Sequence, residues 1–242
     1  MRRDHVGDTP FTVIPMCLLL AVGTAVLRSA TLAGQSKQYP LVSADGLTLH
    51  NVTAAPAALQ GKKGLRLTLS EAAVPPAQGD IEQLAVIDGL EFSSGVIEAE
   101  VAGVPGTGAA EGARGFVGIA FRVQHDLKTY DAFYLRPTNG RADDQERRNH
   151  AVQYISHPEW PWFRLRKETP GKYEAYADLV PNEWTKIKIE VRGERARLFV
   201  RDNAQPTLIV NDVKSGANAK GAVALWVGPG TVAHFRDLRI TP

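Results

Sequence analysis

The chain has 242 residues, 44% hydrophobic and 22% charged, with a formal charge of +2. Those proportions exclude a disordered chain, and so small a charge gives no electrostatic reason to seek nucleic acid. The first segment is set apart from the fold. Arg2 and Arg3 make a basic start, Phe11 to Leu27 is an apolar run without charge, and Thr31-Leu32-Ala33 is a small-x-small site. That order predicts an export signal over residues 1–33. The alternative is a retained membrane anchor, but the run is short for a bilayer span and contains Pro15. Cys17 follows Ile14-Pro15-Met16, a poor signal for a lipid anchor. Cleavage removes Arg2, Arg3 and Arg28 against Asp4 and Asp8, which lowers the charge to +1, and it removes the only cysteine. The expectation is one secreted or periplasmic domain over residues 34–242. It would be free of the membrane after cleavage and held by a sizeable core rather than by disulfides.

Along that domain, apolar and polar residues alternate with period two, the pattern of half-buried strands. Leu65, Leu67 and Leu69 share one face; Ile97, Ala99 and Val101 oppose Glu98 and Glu100. Val117, Ile119, Phe121 and Val123 oppose Gly118, Ala120 and Arg122. Further on, Ile187, Ile189 and Val191 oppose Lys186, Lys188, Glu190 and Arg192, and "RARLFVRD", "PTLIVND", "GAVALWVG" and "HFRDLRI" add four strands. Asp45-Gly46, Arg192-Gly193-Glu194, Lys220-Gly221 and Gly228-Pro229-Gly230 supply turns. No window holds a helical stripe, so the fold class is all-β, two antiparallel sheets around one core. The Gly-rich stretch from Val101 to Gly115 is expected to be a mobile loop without chemistry.

One segment breaks the pattern. "RPTNGRADDQERRNHAVQYISHPEWPWFRLR", Arg136 to Arg166, concentrates arginines, acids, amides and aromatics. Ten of the chain's 18 aromatics fall between Tyr130 and Trp184, too uneven a distribution for core packing alone. A sugar offers apolar C–H faces and a hydroxyl rim, which suit flat rings beside planar hydrogen-bonding groups. The candidate ligand-binding residues are Arg136, Asn139, Arg141, Gln145, Arg148, Asn149, Gln153, Tyr154, Trp160, Trp162, Arg164 and Arg166. Read as a strand, Trp162, Arg164 and Arg166 form an outward stripe opposite Phe163 and Leu165. The alternative is an ion-pair lattice in which these arginines, Arg147 and Lys167 meet Asp143, Asp144, Glu146, Glu159 and Glu168. His150 beside Asp143, Asp144 or Glu146 is a candidate acid/base pair. His157, before Pro158, reads as a turn cap, and no histidine or cysteine spacing matches a metal site. Asn51-Val52-Thr53 matches the glycosylation acceptor pattern.

Five stretches carry a resemblance: "FSSGVIEAEV", "GFVGIAFRV", "YDAFYLRP", "NEWTKIKIEVRGERARLFV" and "GAVALWVGPGTVAHFRDLRI". In this order, over roughly residues 80–242, the chain resembles the concanavalin A-like lectin/glucanase superfamily. The resemblance implies a jelly-roll sandwich. It extends to laminin-G-like modules and to secreted 3-keto-disaccharide hydrolase-type domains. The glucanase branch carries Glu-x-Asp-x-Glu along one strand. Here Glu98 and Glu100 stand without the third acid, so that branch's activity is not implied and the pair reads as a solvent-facing strand edge. The resemblance also implies a structural calcium, with Asp237 its candidate ligand; the alternative there is a surface salt bridge. No other cofactor is expected. The functional expectation is a carbohydrate-binding, lectin-like domain for a glycan or polyhydroxylated ligand. The alternatives are a glycoside-processing hydrolase or lyase of the 3-keto-disaccharide hydrolase type, and a protein-binding adhesion module.

Overall fold

A computed structural model of the chain describes residues 1–2, 35–74 and 81–242. The export signal expected at 1–33 lies almost wholly outside the described residues. Residues 35–242 begin with β1 (Lys37–Tyr39), β2 (Leu47–His50), β3 (Val52–Leu59), β4 (Lys62–Leu69), β5 (Leu84–Ile87) and β6 (Gly95–Pro105). Then follow β7 (Val117–Val123), β8 (Tyr130–Leu135), α1 (Gln145–Asn149), β9 (Val152–His157), α2 (Trp162–Glu168) and β10 (Glu174–Ala175). The chain closes with β11 (Thr185–Arg192), β12 (Arg195–Val200), β13 (Leu208–Val210), β14 (Ala222–Val227) and β15 (Thr231–Thr241).

These strands form two antiparallel sheets. One has the order β13-β12-β11-β6-β15-β4-β3, with β1 also pairing β15; the other runs β10-β9-β8-β7-β14-β5-β2. The two inner faces share one core. Alternation does what period two requires in β11, where Ile187, Ile189 and Val191 are buried while Lys186 and Arg192 are exposed. Each such buried aliphatic side chain contributes about 2 kcal/mol. In β4, Leu65 and Leu67 are buried, and Leu69, at the strand's end, is exposed. Glu98 and Glu100 lie on the outer side of β6, against Arg239 (3.7 Å) and Lys62 (3.3 Å), so their reading as a solvent-side pair holds.

Three expectations need correction. Two short helices, α1 and α2, interrupt the second half of the chain. Val101 to Pro105 belongs to β6 rather than to a loop. Arg122 does not share a face with Gly118 and Ala120. It sits at φ 56°, where the β7–β14 register shifts at Ala222/Val223, and the bulge re-aims its side chain into the interior.

Candidate functional site

The site is built on the outer face of the seven-stranded sheet. Trp226 pairs with Gly118, Gly118 with Tyr134, and Tyr134 with Gln153, so one cross-strand row carries two rings separated by a glycine. With no side chain between them, Tyr134 and Trp226 stack, centroids 4.7 Å apart and planes at 27°. A Cβ on Gly118 would come within 2.6 Å of the Tyr134 Cβ, so the stack depends on glycine there. The neighbouring row is small, Ala224-Ala120-Ala132, which leaves depth above the sheet. Around this floor lies a cavity of about 530 Å³, within the range of small-molecule sites.

Its rim comes from elements brought in by sequence-distant segments. α2 follows Pro161, whose carbonyl accepts from the Leu165 amide. Because the segment is a helix, Trp162 and Arg166 stand one turn apart on one face and both line the cavity. The strand reading is therefore corrected. Arg164 points elsewhere, to Glu168 (2.8 Å) and the Glu159 carbonyl (2.7 Å), and lies over the Trp160 ring. Asp144 caps α1, its carboxylate accepting the Arg147 amide at 2.8 Å, which places Arg147 on the cavity lining. The loop expected to lack chemistry supplies Ala110, Gly112, Ala113 and Arg114 to the lining.

Of the candidates drawn from the sequence, Arg136, Asn139, Trp162 and Arg166 reach the cavity, together with His150. Arg136 is buried. It donates to the Tyr134 hydroxyl (2.8 Å), the His150 carbonyl (3.1 Å) and Gln153 Oε1 (3.2 Å). Burial outweighs the nearby Arg136 and Arg166 charges and pushes the Tyr134 phenol up, so it stays protonated. Behind the wall, the buried Glu174 carboxylate pairs with Arg166 (2.7 Å) and lies 3.8 Å from Arg136. His150 Nδ1 is 2.7 Å from the same oxygen but off the line of a hydrogen bond. Asn139 donates to the His150 carbonyl at 3.2 Å, while its own carbonyl oxygen is buried without a partner.

The remaining candidates do other work. Gln153 is a buried strut that holds Arg136 and donates to the Tyr154 and Tyr173 carbonyls. Tyr154 is core, not ligand surface: it faces between the sheets and donates to Asp131 at 2.5 Å. Arg141 makes a two-pronged pair with Asp178, Arg148 lies over Tyr176, and Gln145 bonds Asn149, all away from the cavity. Trp160 lines a second cavity, under the cations of Arg164 and Lys214. Asp144 caps α1 and the Glu146 carboxylate is on the surface, 3.8 Å from His150, so neither lines the cavity. Asp237 is taken up by Arg236 at 2.5 Å. Among the described residues no group of three or more metal-binding side chains gathers. Asn51 spends its side-chain amide on the Glu82 carbonyl at 2.8 Å.

That bond fixes a cluster the sequence reading missed. Glu82, Tyr130 and His157 meet at the cavity. The Tyr130 hydroxyl donates to Glu82 Oε2 and accepts from the Trp226 indole N–H at 3.0 Å. His157 Nδ1 lies 3.0 Å from Glu82 Oε1 and 3.2 Å from the Tyr130 oxygen. Burial first, then the Glu82 charge, pushes the Tyr130 phenol well above its ordinary value, so it remains a donor near neutral pH. His157 is thus a member of this cluster rather than only a turn cap. The arrangement can hold a ring against flat aromatics, grip its polar edge with guanidinium forks, and offer a carboxylate and an imidazole for proton movement.

In structure the chain is similar to the carbohydrate binding module CBM66 from Bacillus subtilis. The TM-score is 0.54 and the identity 15%, over 81% of this chain and 95% of that one. The fold is the concanavalin A-like jelly roll. A second Bacillus subtilis protein, of unknown function with a galectin-like fold, matches this jelly roll with a TM-score of 0.51 and 13% identity, over 86% of this chain and 96% of that one. No family model matches the chain, and no curated protein matches it in sequence.

Proposed function

We propose that the chain binds a saccharide in the cavity above the Tyr134–Trp226 stack. The observation that carries this reading is convergence. Aromatic surface (Tyr134, Trp162, Trp226) and planar or amide hydrogen-bonding groups (Arg136, Arg166, Asn139) line one hollow, the combination a sugar ring requires. The fold shared with a carbohydrate binding module supports it. Export, suggested by the basic and apolar start of the chain, would place the domain where extracellular glycans are found; N-terminal sequencing of the protein recovered from its host tests cleavage near Ala33. Trp162 is 40% exposed, so its removal leaves the core intact. Binding of the purified protein to a panel of glycans, measured for the wild type and Trp162→Ala, tests the reading. Loss of about tenfold in affinity is expected; equal binding by the two proteins sinks it.

The Glu82–Tyr130–His157 cluster favours a second reading, a glycoside-processing enzyme using the same cavity. Glu82 and His157 are within hydrogen-bond distance and share a buried phenol, the geometry of an acid/base pair. Turnover of a bound glycoside that disappears in both Glu82→Gln and His157→Ala, with binding retained, would move this reading ahead. Binding without turnover keeps the first.

A further inference from the structure

We infer that the saccharide taken by this cavity is anionic, a sugar carrying a carboxylate or a sulfate ester, held by Arg114 and Arg147. This rests on the saccharide reading above and narrows its ligand class. The lining is unbalanced in charge. Arg114, Arg136, Arg147 and Arg166 face the cavity, and among the described residues Glu82 is the one carboxylate-bearing member of the lining. Glu82 is engaged with Tyr130 and His157, and the Glu174 carboxylate behind the wall serves Arg166 and Arg136. Arg114 and Arg147 have no such partner. Among the described residues no carboxylate forms an ion pair with either, and the Arg114 side chain finds only the backbone carbonyls of Glu111 (2.5 Å) and Ala113 (3.0 Å).

Two consequences follow from placing like charges together at a partly desolvated wall. The first is visible in Arg114 itself. Burial first and then the Arg147 charge lower its affinity for a proton; Glu111 pulls the other way, and Arg136 adds the least of the four. The second concerns the guest. Repulsion among guanidiniums is relieved when an anion sits between them, so an anionic ligand gains more from this wall than a neutral one of the same shape. A guanidinium pairs through two parallel N–H bonds with a carboxylate or a sulfate, so geometry admits both. Nearby, the buried Asn139 carbonyl oxygen lacks a donor, which a sugar hydroxyl supplies.

The test is calorimetric titration of the whole protein with trigalacturonate, its methyl ester, and a neutral trisaccharide with and without a sulfate ester, at low and high salt. The ester keeps the sugar and removes the charge. Tighter binding of trigalacturonate than of its ester, by about tenfold, supports the inference. So does loss of that advantage in Arg114→Ala and Arg147→Ala and its erosion by salt. Arg147→Lys should keep part of the advantage. Preference for the sulfated sugar over its unsulfated form, with the same dependence on both arginines, supports it with sulfate as the anion. Equal binding of acid and ester, unchanged in both variants, overturns the inference and leaves the saccharide reading standing. No binding of any of these sugars or of the wider glycan panel overturns both. Unshifted melting temperatures in the variants separate lost recognition from lost folding; Arg147 is exposed and outside the core, so its removal leaves the fold in place.

Discussion

Arg122 makes five hydrogen bonds, to the Ser93, Gly193 and Gly216 carbonyls and the Ser215 hydroxyl, and is 1% exposed. Arg147, in α1, has its backbone amide bonded by the Asp144 carboxylate, while its side chain lines a cavity, and among the described residues no carboxylate forms an ion pair with it. The residue type is the same and the use is opposite. Where every N–H of a guanidinium ends on the protein's own oxygens, four on carbonyls and one on a hydroxyl, the arginine ties loops together. Where the donors end in a hollow beside other arginines, the proposed reading assigns them to a guest. Asp131 belongs to the first kind. It accepts from Tyr154 and Ser215 beside Arg122, and burial, against those hydrogen bonds and the Arg122 charge, still raises its carboxyl above the usual range.

That contrast can be broken by substitution. Arg122→Met, which strands four acceptors in the interior, is expected to cost about 3–5 kcal/mol of stability, a fall in Tm of roughly 10 °C in thermal unfolding. A fall of only a degree or two would show that the buried network is dispensable. Gly118→Val drives a side chain into the space of Tyr134 and should cost about 1–3 kcal/mol. It should also weaken saccharide binding by disrupting the aromatic floor; intact affinity in a folded variant would detach the stack from recognition. Arg147→Ala should leave stability within roughly 0.5 kcal/mol of wild type, the converse of Arg122. A large drop in its denaturation midpoint would mean that this arginine, too, is structural.

The smallest effect concerns acid. Burial pushes the Asp212 carboxyl up, but hydrogen bonds from Lys172, Tyr173 and Lys214 prevail and hold it at about 2, below the ordinary 3.8. A depressed carboxyl stabilises the fold fully above the unfolded value and loses that contribution as pH falls through the folded one. Stability therefore declines between about pH 4 and pH 2 on this account. Asp212 is 38% exposed, so solvent screening keeps the effect small. Asp212→Asn should flatten that part of the acid unfolding curve; an unchanged slope would remove Asp212 as its source.

Much of the fold was legible because β4, β6, β11 and β15 bury one face and show water the other, which writes period two into the residues. β8 and β9 are covered on both sides, so alternation there no longer reports direction, and Tyr154, expected at the ligand, is core. In α2, Trp-x-Arg-x-Arg imitates a strand; the telling signal was Pro161 at the helix start with Trp162 and Arg166 one turn apart. In α1, Asp144 ahead of Gln-Glu-Arg-Arg was a capping signal read as chemistry. The Glu82–His157 pair spans 75 positions and has no local trace. Arg114 was hidden differently, as one of two charges, with Glu111, in a Gly/Ala loop, and its value comes from the arginines that the fold sets beside it.

The most direct measurement is a crystal structure of the protein with trigalacturonate bound. The account predicts a sugar ring over Tyr134 and Trp162 within the cavity, its carboxylate between Arg114 and Arg147. A sugar seated on any other surface, or both arginines turned away into pairs with the protein's own acids, would contradict it.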